Sequence, residues 1–514
     1  MPQHWIILIA IIKLCTAVPD HRLIFMNNIP QFSEEERKDR ISSSCEDLTT
    51  LLTSEIKMFN LVKKSCDQLE KVHEAKKLVK LLKKLLLKRP KNLEGLERKS
   101  FVKYISHPFN SYKLLHRTTK IWPKQLQMIK QHFGNLSKKK MNNLINLPKV
   151  GKFLELPKED DFTHGAINGL FNIQRFYNIS AYNIARGKIV VGDEESDEPM
   201  SSEEAILISE QAKKMKYLHF QVEWLEVALN LALDEKQSEL LLKSINRKIK
   251  AAKEAHDNYI VKEGFVNTVL DSEKTRFNVK PFKKEIEVSE EYLHNLDVLK
   301  KVKSVNGMYY DISLTKNTSQ VPYLKDLGLK DQDFNAYIVS MGQEEARYQL
   351  CQGNGIEKPA KLTADLKCLY LKYSDPYLQL GPLKLEVLNT EPFIGTFHKM
   401  FTELEADEII NFSKGNLKPT PYRVAGELVK YSARRTSKLL YLSDSSFPLV
   451  PKISRRIELA TRFQLMGHQL DSENYQIMNY GLGGAIDVHR DSDGPNQEGT
   501  VESVEMGNNN FIKI

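Results

Sequence analysis

His489 and Asp491 stand two positions apart in the C-terminal part of the chain. In an extended strand, residues i and i+2 project to one face. This H-x-D pair therefore offers an imidazole and a carboxylate to one metal ion, with Asp487 and Asp493 on the same side. Such a pair supplies two of the three ligands of the facial triad of non-heme Fe(II) oxygenases, which leaves positions open for a cosubstrate and dioxygen. A calcium loop is the competing metal reading, because Asp491-Ser492-Asp493-Gly494 resembles part of an EF-hand. Its register fails: with Gly494 at loop position six, His489 falls at position one and Thr500 at position twelve, where Asp and a bidentate Glu are required. The reading without a metal is an exposed turn rich in Asp and Gly.

The segment that must position the pair, Tyr475 to Asp493, reads as strand, glycine turn, strand. Ahead of it, Leu383 to Phe401 alternates apolar residues with period two, and Glu403 to Gly415 reads as a helix ending at a glycine. Residues 346–514 are thus expected to form a C-terminal domain with an antiparallel sheet, preceded by a polar linker over 276–345.

The first half is helical. From Cys45 to Arg89 apolar residues recur at helical spacing (Leu48, Leu51, Leu52, Ile56, Phe59), and Pro90 closes the run. Within it, Lys76 to Arg89 places Leu78, Leu81, Leu82, Leu85 and Leu86 on one face and lysines on the other. A basic amphipathic helix of this kind can lie on a membrane surface or bind calmodulin. Joined to a longer periodic segment, it reads instead as one strand of a helical dimer seam with solvated lysines, so residues 18–150 are expected to self-associate. A second helical region runs from Thr163 to Val261, within a domain placed at 160–275. Ser201 or Ser202 is placed to cap the helix that begins near Ala205, and Trp224, Leu225 and Leu229 have core spacing. Paired helices of this length suggest a tetratricopeptide-like unit, although no clean 34-residue repeat is present. Phe171, Phe176, Tyr177, Tyr217 and Phe220 either line a peptide groove or fill the core; spacing alone does not choose.

At 514 residues the chain is long enough for about three domains. It is 41% hydrophobic, which excludes wholesale disorder, and five cysteines are too few for a disulfide scaffold. A formal charge of +9 against 27% charged residues gives no case for a nucleic-acid partner. Trp5 to Ile12 is the one strongly apolar run, too short for a bilayer span. It fits the h-region of a secretory signal cleaved near Ala17, giving a signal over 1–17; the alternative is an N-terminal buried strand. Sequons at Asn135, Asn178, Asn317 and Asn411 agree with a lumenal location. Once Cys15 leaves with the signal, four cysteines allow three connectivities, and local pairing would join Cys351 to Cys368 and Cys45 to Cys66.

Nearly the whole chain resembles the α subunits of procollagen prolyl 4-hydroxylase. Cys45 to Lys64 and Asn110 to Trp122 look like that family's N-terminal dimerisation helices, and Ala166 to Ser180 resembles the start of its peptide-substrate-binding domain. Tyr348 to Gly355 with Lys367 to Tyr370 resembles the cysteine pair that opens the catalytic part, which marks Cys351 and Cys368. Pro382 to Ile410 is similar to the entry strand and helix of the dioxygenase domain. Asn479 to Gly484 followed by His489 and Asp491 resembles its first iron-ligand strand. The resemblance implies a double-stranded β-helix (jelly-roll) domain, here incomplete, within a multidomain α+β chain. It also implies an endoplasmic reticulum enzyme that uses Fe(II), 2-oxoglutarate, dioxygen and ascorbate to make 4-hydroxyproline. The implied substrate is a proline-rich, collagen-like peptide held by Tyr177, Tyr217 and Phe220, and the implied partner is protein disulfide isomerase.

The chain departs from that pattern at the metal strand. Where the family reads G-G-x-Y-x-P-H-[FY]-D, Ile486 replaces the tyrosine that faces 2-oxoglutarate, Val488 the proline, and Arg490 lies between the two ligands. No histidine follows His489 as third ligand, and the lysine that pairs with the cosubstrate is not found. The expectation is that the 514 residues by themselves do not hydroxylate proline. The alternative to an active enzyme is an inactive paralogue, or a shortened form of a longer enzyme, that serves as a peptide-binding and assembly subunit.

Overall fold

The structure, a computed structural model, describes residues 5–9, 40–134, 156–270, 282, 351–352, 363–424, 427–429, 436–465, 474–486 and 512–513, with short gaps inside these spans. The chain is helix-rich with small antiparallel sheets, a multidomain α+β architecture. It divides into two compact units, Met1–Ala166 with Lys358–Ile514, and Ile167–Glu357.

In the first unit, α1 (Cys45–Leu69) starts at Ser44, whose hydroxyl accepts the Asp47 N–H at 3.2 Å, with Glu46 and Asp47 in the first turn to complement the helix dipole. The run expected to stay helical to Arg89 breaks instead near Val72, which is extended, and resumes as α2 (Lys76–Leu86). Neither Gly nor Pro causes the break. It lets α2 fold back so that Leu78, Leu82 and Leu85 are buried against α1 and the later helix Trp122–Gly134, each burial contributing about 2 kcal/mol. The leucine face read as a dimer seam is therefore used within the chain, while the lysines of α2 stay exposed.

Next come α3 (Arg98–Ser106), α4 (Pro108–His116) and α5 (Trp122–Gly134), the last two joined by a π-helical turn at Arg117–Ile121. The wide turn lies just before Pro123, which has no N–H to give Thr119 and would crowd that carbonyl in a regular helix. Thr118 and Thr119 hydroxyls donate to the Leu114 and Leu115 carbonyls in the loosened turn.

Among the described residues, the C-terminal part of this unit holds three sheets. A hairpin of β3 (Leu383–Thr390) and β4 (Phe393–His398) pairs with β2 (Cys368–Leu371), as the period-two pattern predicts. β6 (Tyr422–Val424) and β7 (Glu427–Val429) form a ribbon. The largest sheet runs β10-β1-β9-β8-β5: Ile512–Lys513, Trp5–Ile9, Tyr475–Tyr480, Ser437–Leu442 and Lys418–Pro419. Trp5–Ile9 of the apolar N-terminal run is thus a strand in this structure, pairing antiparallel with β9 in the register Trp5↔Asn479 to Leu8↔Gln476.

Two helices cover the apolar side of β8 and β9. The first, α11 (Glu403–Ser413), has a Thr402–Glu405 capping box and stops ahead of Gly415 at φ +76°, the glycine end expected of it. The second, α12 (Val450–Thr461), buries Val450, Ile453, Ile457 and Ala460 at helical spacing beside Leu442, Tyr475 and Ile477. Arg456 ties the two helices by a bidentate pair to Glu405 at 3.0 and 2.8 Å.

The second unit comprises α6 (Ile167–Tyr177), α7 (Ala181–Ala185), α8 (Ser202–Lys214), α9 (Leu218–Asp234) and α10 (Glu239–Leu270). Ser201, one of the two serines expected to cap, forms a full capping box with Glu204. The expected linker lies almost wholly outside the described residues, Phe282 excepted.

Candidate functional site

The approach to the H-x-D pair is built by β9 and the turn after it. Asn479, fully buried, accepts on Oδ1 from the Ser44 hydroxyl at 2.9 Å and the Glu46 N–H at 3.3 Å, so the strand caps the start of α1. Gly481 lies flat against residues 42–44: a Cβ there would stand 2.6 Å from Ser44 N and collide with the Ser42 carbonyl. Leu482 donates its N–H to Ser42 O at 3.0 Å, and Gly483 takes φ +58°, the left-handed conformation that favours glycine. Thr436 and Ala485 exchange two hydrogen bonds of 3.0 Å, which holds the chain as far as Ile486. His489 and Asp491, with Asp487 and Asp493, lie outside the described residues. Among the described residues no three His, Cys, Asp or Glu side chains converge as a metal site.

Cys351 and Cys368 are both free thiols in this structure. Cys45 and Cys66, placed to pair by the sequence alone, are also free thiols. Both sit on α1, about 31 Å apart at about 1.5 Å per residue, whereas a disulfide needs Cα atoms within about 7 Å. Burial pushes the Cys45 thiol up to about 11, so it behaves as a packed apolar group.

The three aromatic residues expected to hold a peptide fall in different places. Tyr217 and Phe220 are 9% and 3% exposed, and with Phe171 they form a cluster with ring centroids 5.7 to 5.9 Å apart. This puts Phe220 and most of Tyr217 in the core between α6 and α9, because a ring so enclosed has no face left for a ligand. Tyr177 is different: it ends α6 and is 54% exposed. Tyr182 on α7, which the sequence reading missed, is 45% exposed with the Arg186 guanidinium over its ring at 4.5 Å.

A partly buried network fixes the elements that carry these tyrosines. Glu223 accepts from Gln174 Nε2 and from the Ala181 N–H, both at 2.7 Å, and Trp224 Nε1 donates to Gln174 Oε1 at 3.1 Å. Burial pushes the Glu223 carboxyl above its ordinary value, against the Ala181 and Gln174 bonds that favour its anion. Gln174, Glu223 and Trp224 thereby set the position of α7 on α6 and α9. The Trp224 spacing hinted at a core helix, but its partner fifty residues upstream left no local signal. Tyr177 and Tyr182 are thus exposed rings carried on helices whose packing this network fixes.

Residues 44–190 match the family described as Prolyl 4-Hydroxylase alpha-subunit, N-terminal region. Prolyl 4-hydroxylase subunit alpha-2 of Caenorhabditis elegans is 24% identical over 407 residues, 79% of this chain and 68% of that protein. The human subunit alpha-1 is 24% identical over 449 residues, 85% of this chain and 74% of that protein. Subunit alpha-3 of Rattus norvegicus reaches 30% identity over 142 residues, 28% of this chain and 26% of that protein. The chain therefore resembles the prolyl 4-hydroxylase α subunits, both in their N-terminal region and along most of its length.

Proposed function

We propose that this chain is an α subunit of the prolyl 4-hydroxylase type, a dioxygenase acting on peptidyl proline in collagen-like sequences. The supporting observation is that the similarity continues past the N-terminal region to span 79–85% of the chain. In this reading residues 346–514 are the catalytic jelly-roll domain, 160–275 a tetratricopeptide-like peptide domain, and 18–150 the self-association module. His489 and Asp491 are the residues that would hold Fe(II), which with 2-oxoglutarate and dioxygen supplies the oxidising chemistry and is kept reduced by ascorbate. Tyr177 presents an open ring to the peptide, whereas Tyr217 and Phe220 support the surface from below. Protein disulfide isomerase is the proposed partner and the endoplasmic reticulum lumen the proposed location. Asn178 and Asn411, two of the four sequons, are exposed as glycosylation requires. Removal of residues 1–17 as a signal would take β1 out of the sheet and free one edge of β9 for another strand.

A second reading rests on Ile486, Val488 and Arg490, which replace a tyrosine, a proline and an aromatic residue of the family pattern. These favour a subunit that binds peptide and assembles without turnover. One experiment separates the readings: the chain is co-expressed with protein disulfide isomerase in a secretory host and purified. It is then assayed for 2-oxoglutarate turnover coupled to a proline-rich peptide, and for binding of that peptide. Turnover lost in His489→Ala supports the enzyme, and binding without turnover supports the assembly subunit. Neither binding nor turnover refutes both. N-terminal sequencing of the same product shows whether residues 1–17 are removed.

A further inference from the structure

Phe282 lies on the face formed by α9 and α10. Its ring meets the His256 ring edge-on at 4.7 Å between centroids and stacks on His219 at 5.9 Å with the planes 15° apart. Lys253 Nζ stands 5.4 Å over the same ring, and Val222, Leu225, Ala252 and Ile249 form the apolar floor. The backbone is read as well as the side chain: the Phe282 N–H donates to Asp257 Oδ1 at 2.8 Å. That oxygen also meets His256 Nδ1 at 3.0 Å, and both His256 and Asp257 are essentially without solvent exposure.

A carboxylate so buried is costly unless its oxygens are hydrogen-bonded. Here one of its donors comes from a residue 25 positions away. A pocket for one ring joined to a buried acceptor for that residue's own N–H is how folded domains hold a short extended peptide. The requirement for the N–H also sets the ligand class. A proline at this position could not donate to Asp257, so the site is not one for proline rings.

We propose that the α9–α10 face is a peptide-anchoring site for an aromatic residue bearing a free backbone N–H, and that Phe282 is its occupant in cis. Phe282 is thus held on the helical unit through a specific contact, and a peptide of the same chemistry can enter only by displacing it. The site is separate from the Tyr177 surface and does not depend on the catalytic reading.

The test uses the full-length chain and a fluorescent peptide with the sequence of residues 278–287, NVKPFKKEIE. The peptide is expected to bind the Phe282→Ala chain and to bind wild type about tenfold more weakly, because the tethered Phe282 competes at high effective concentration. A peptide with phenylalanine replaced by alanine, and one with that residue N-methylated to remove its N–H, should each lose about tenfold in affinity for Phe282→Ala, by the loss of ring burial or of the hydrogen bond to a charged acceptor. Circular dichroism confirms that the variant remains folded. Equal affinity for wild type and variant overturns the proposal, as does no binding to the folded variant, or undiminished binding of the N-methylated peptide.

Discussion

Glu55 sits at the centre of the N-terminal helical core, fully buried on α1, and its replacement tests how that core is held together. Arg117, on the π turn before α5, grips both carboxylate oxygens with bonds of 2.9 and 2.8 Å, and Trp122 Nε1 donates to Oε1 at 3.0 Å. Burial works to lower the pKa of Arg117, and the charge of Glu55 with the contact to Tyr104 outweighs it and raises the value; a guanidinium is so basic that it keeps its proton inside a protein even when the carboxylate is removed. Glu55→Leu therefore leaves an unpaired buried charge, a loss of about 3–5 kcal/mol, part of it the roughly 1 kcal/mol of the Trp122 bond. Glu55→Leu combined with Arg117→Leu removes both charges and should cost far less, within about 1–2 kcal/mol of the wild type, because most of the penalty belongs to the orphaned ion. Hydrogen exchange read by mass spectrometry on α1 and α4 peptides follows this unit without assuming that the whole chain unfolds together. The single variant should lose about two to four orders of magnitude in protection, and the double variant should recover most of it. A double variant as unprotected as the single would refute the reasoning, since shape and not charge would then dominate.

Three further outcomes follow from the geometry. Hydrogen bonds from Arg456 hold the Glu405 carboxyl down to about 2, so its contribution is present above the ordinary carboxylate value of 4.5 and is lost as pH falls from there towards 2. Allowing for solvent screening this is about 1–2 kcal/mol, and thermal melts of wild type and Glu405→Gln should converge across that window. Gly481→Ala should destabilise the first unit by about 1–3 kcal/mol, measured by urea denaturation, because the new methyl meets the backbone of residues 42–44 and not a movable side chain. Phe220→Ala should cost about 3–5 kcal/mol in thermal stability as a core truncation, whereas Tyr177→Ala should leave stability nearly unchanged and weaken peptide binding; the reverse pattern would place the groove at Phe220.

Much of the secondary structure was legible because its causes are local. Ser201 and Glu204 satisfy each other's backbone within one turn, Gly415 ends its helix through its own φ, and the alternation in Leu383 to Phe401 states a two-residue period outright. The strand leading towards His489 was legible for the same reason, as far as the glycine turn.

What the residues did not announce are the choices made between distant segments. The break near Val72 has no Gly or Pro; it exists because the leucines of α2 gain more by folding onto α1 and α5 than the helix loses by stopping. Whether Tyr217 and Phe220 face a ligand or each other is undetermined by spacing, since a core face and a binding face share the helical period; burial between α6 and α9 decides it. The same holds for Asn479 capping a helix 435 residues before it, for Arg117 across 62 residues from Glu55, and for Phe282 on His219 and His256. Periodicity and capping are properties of neighbouring residues and can be read along the chain. A buried hydrogen bond between remote partners is favourable only once the core has expelled water around both, so only the tertiary structure selects it.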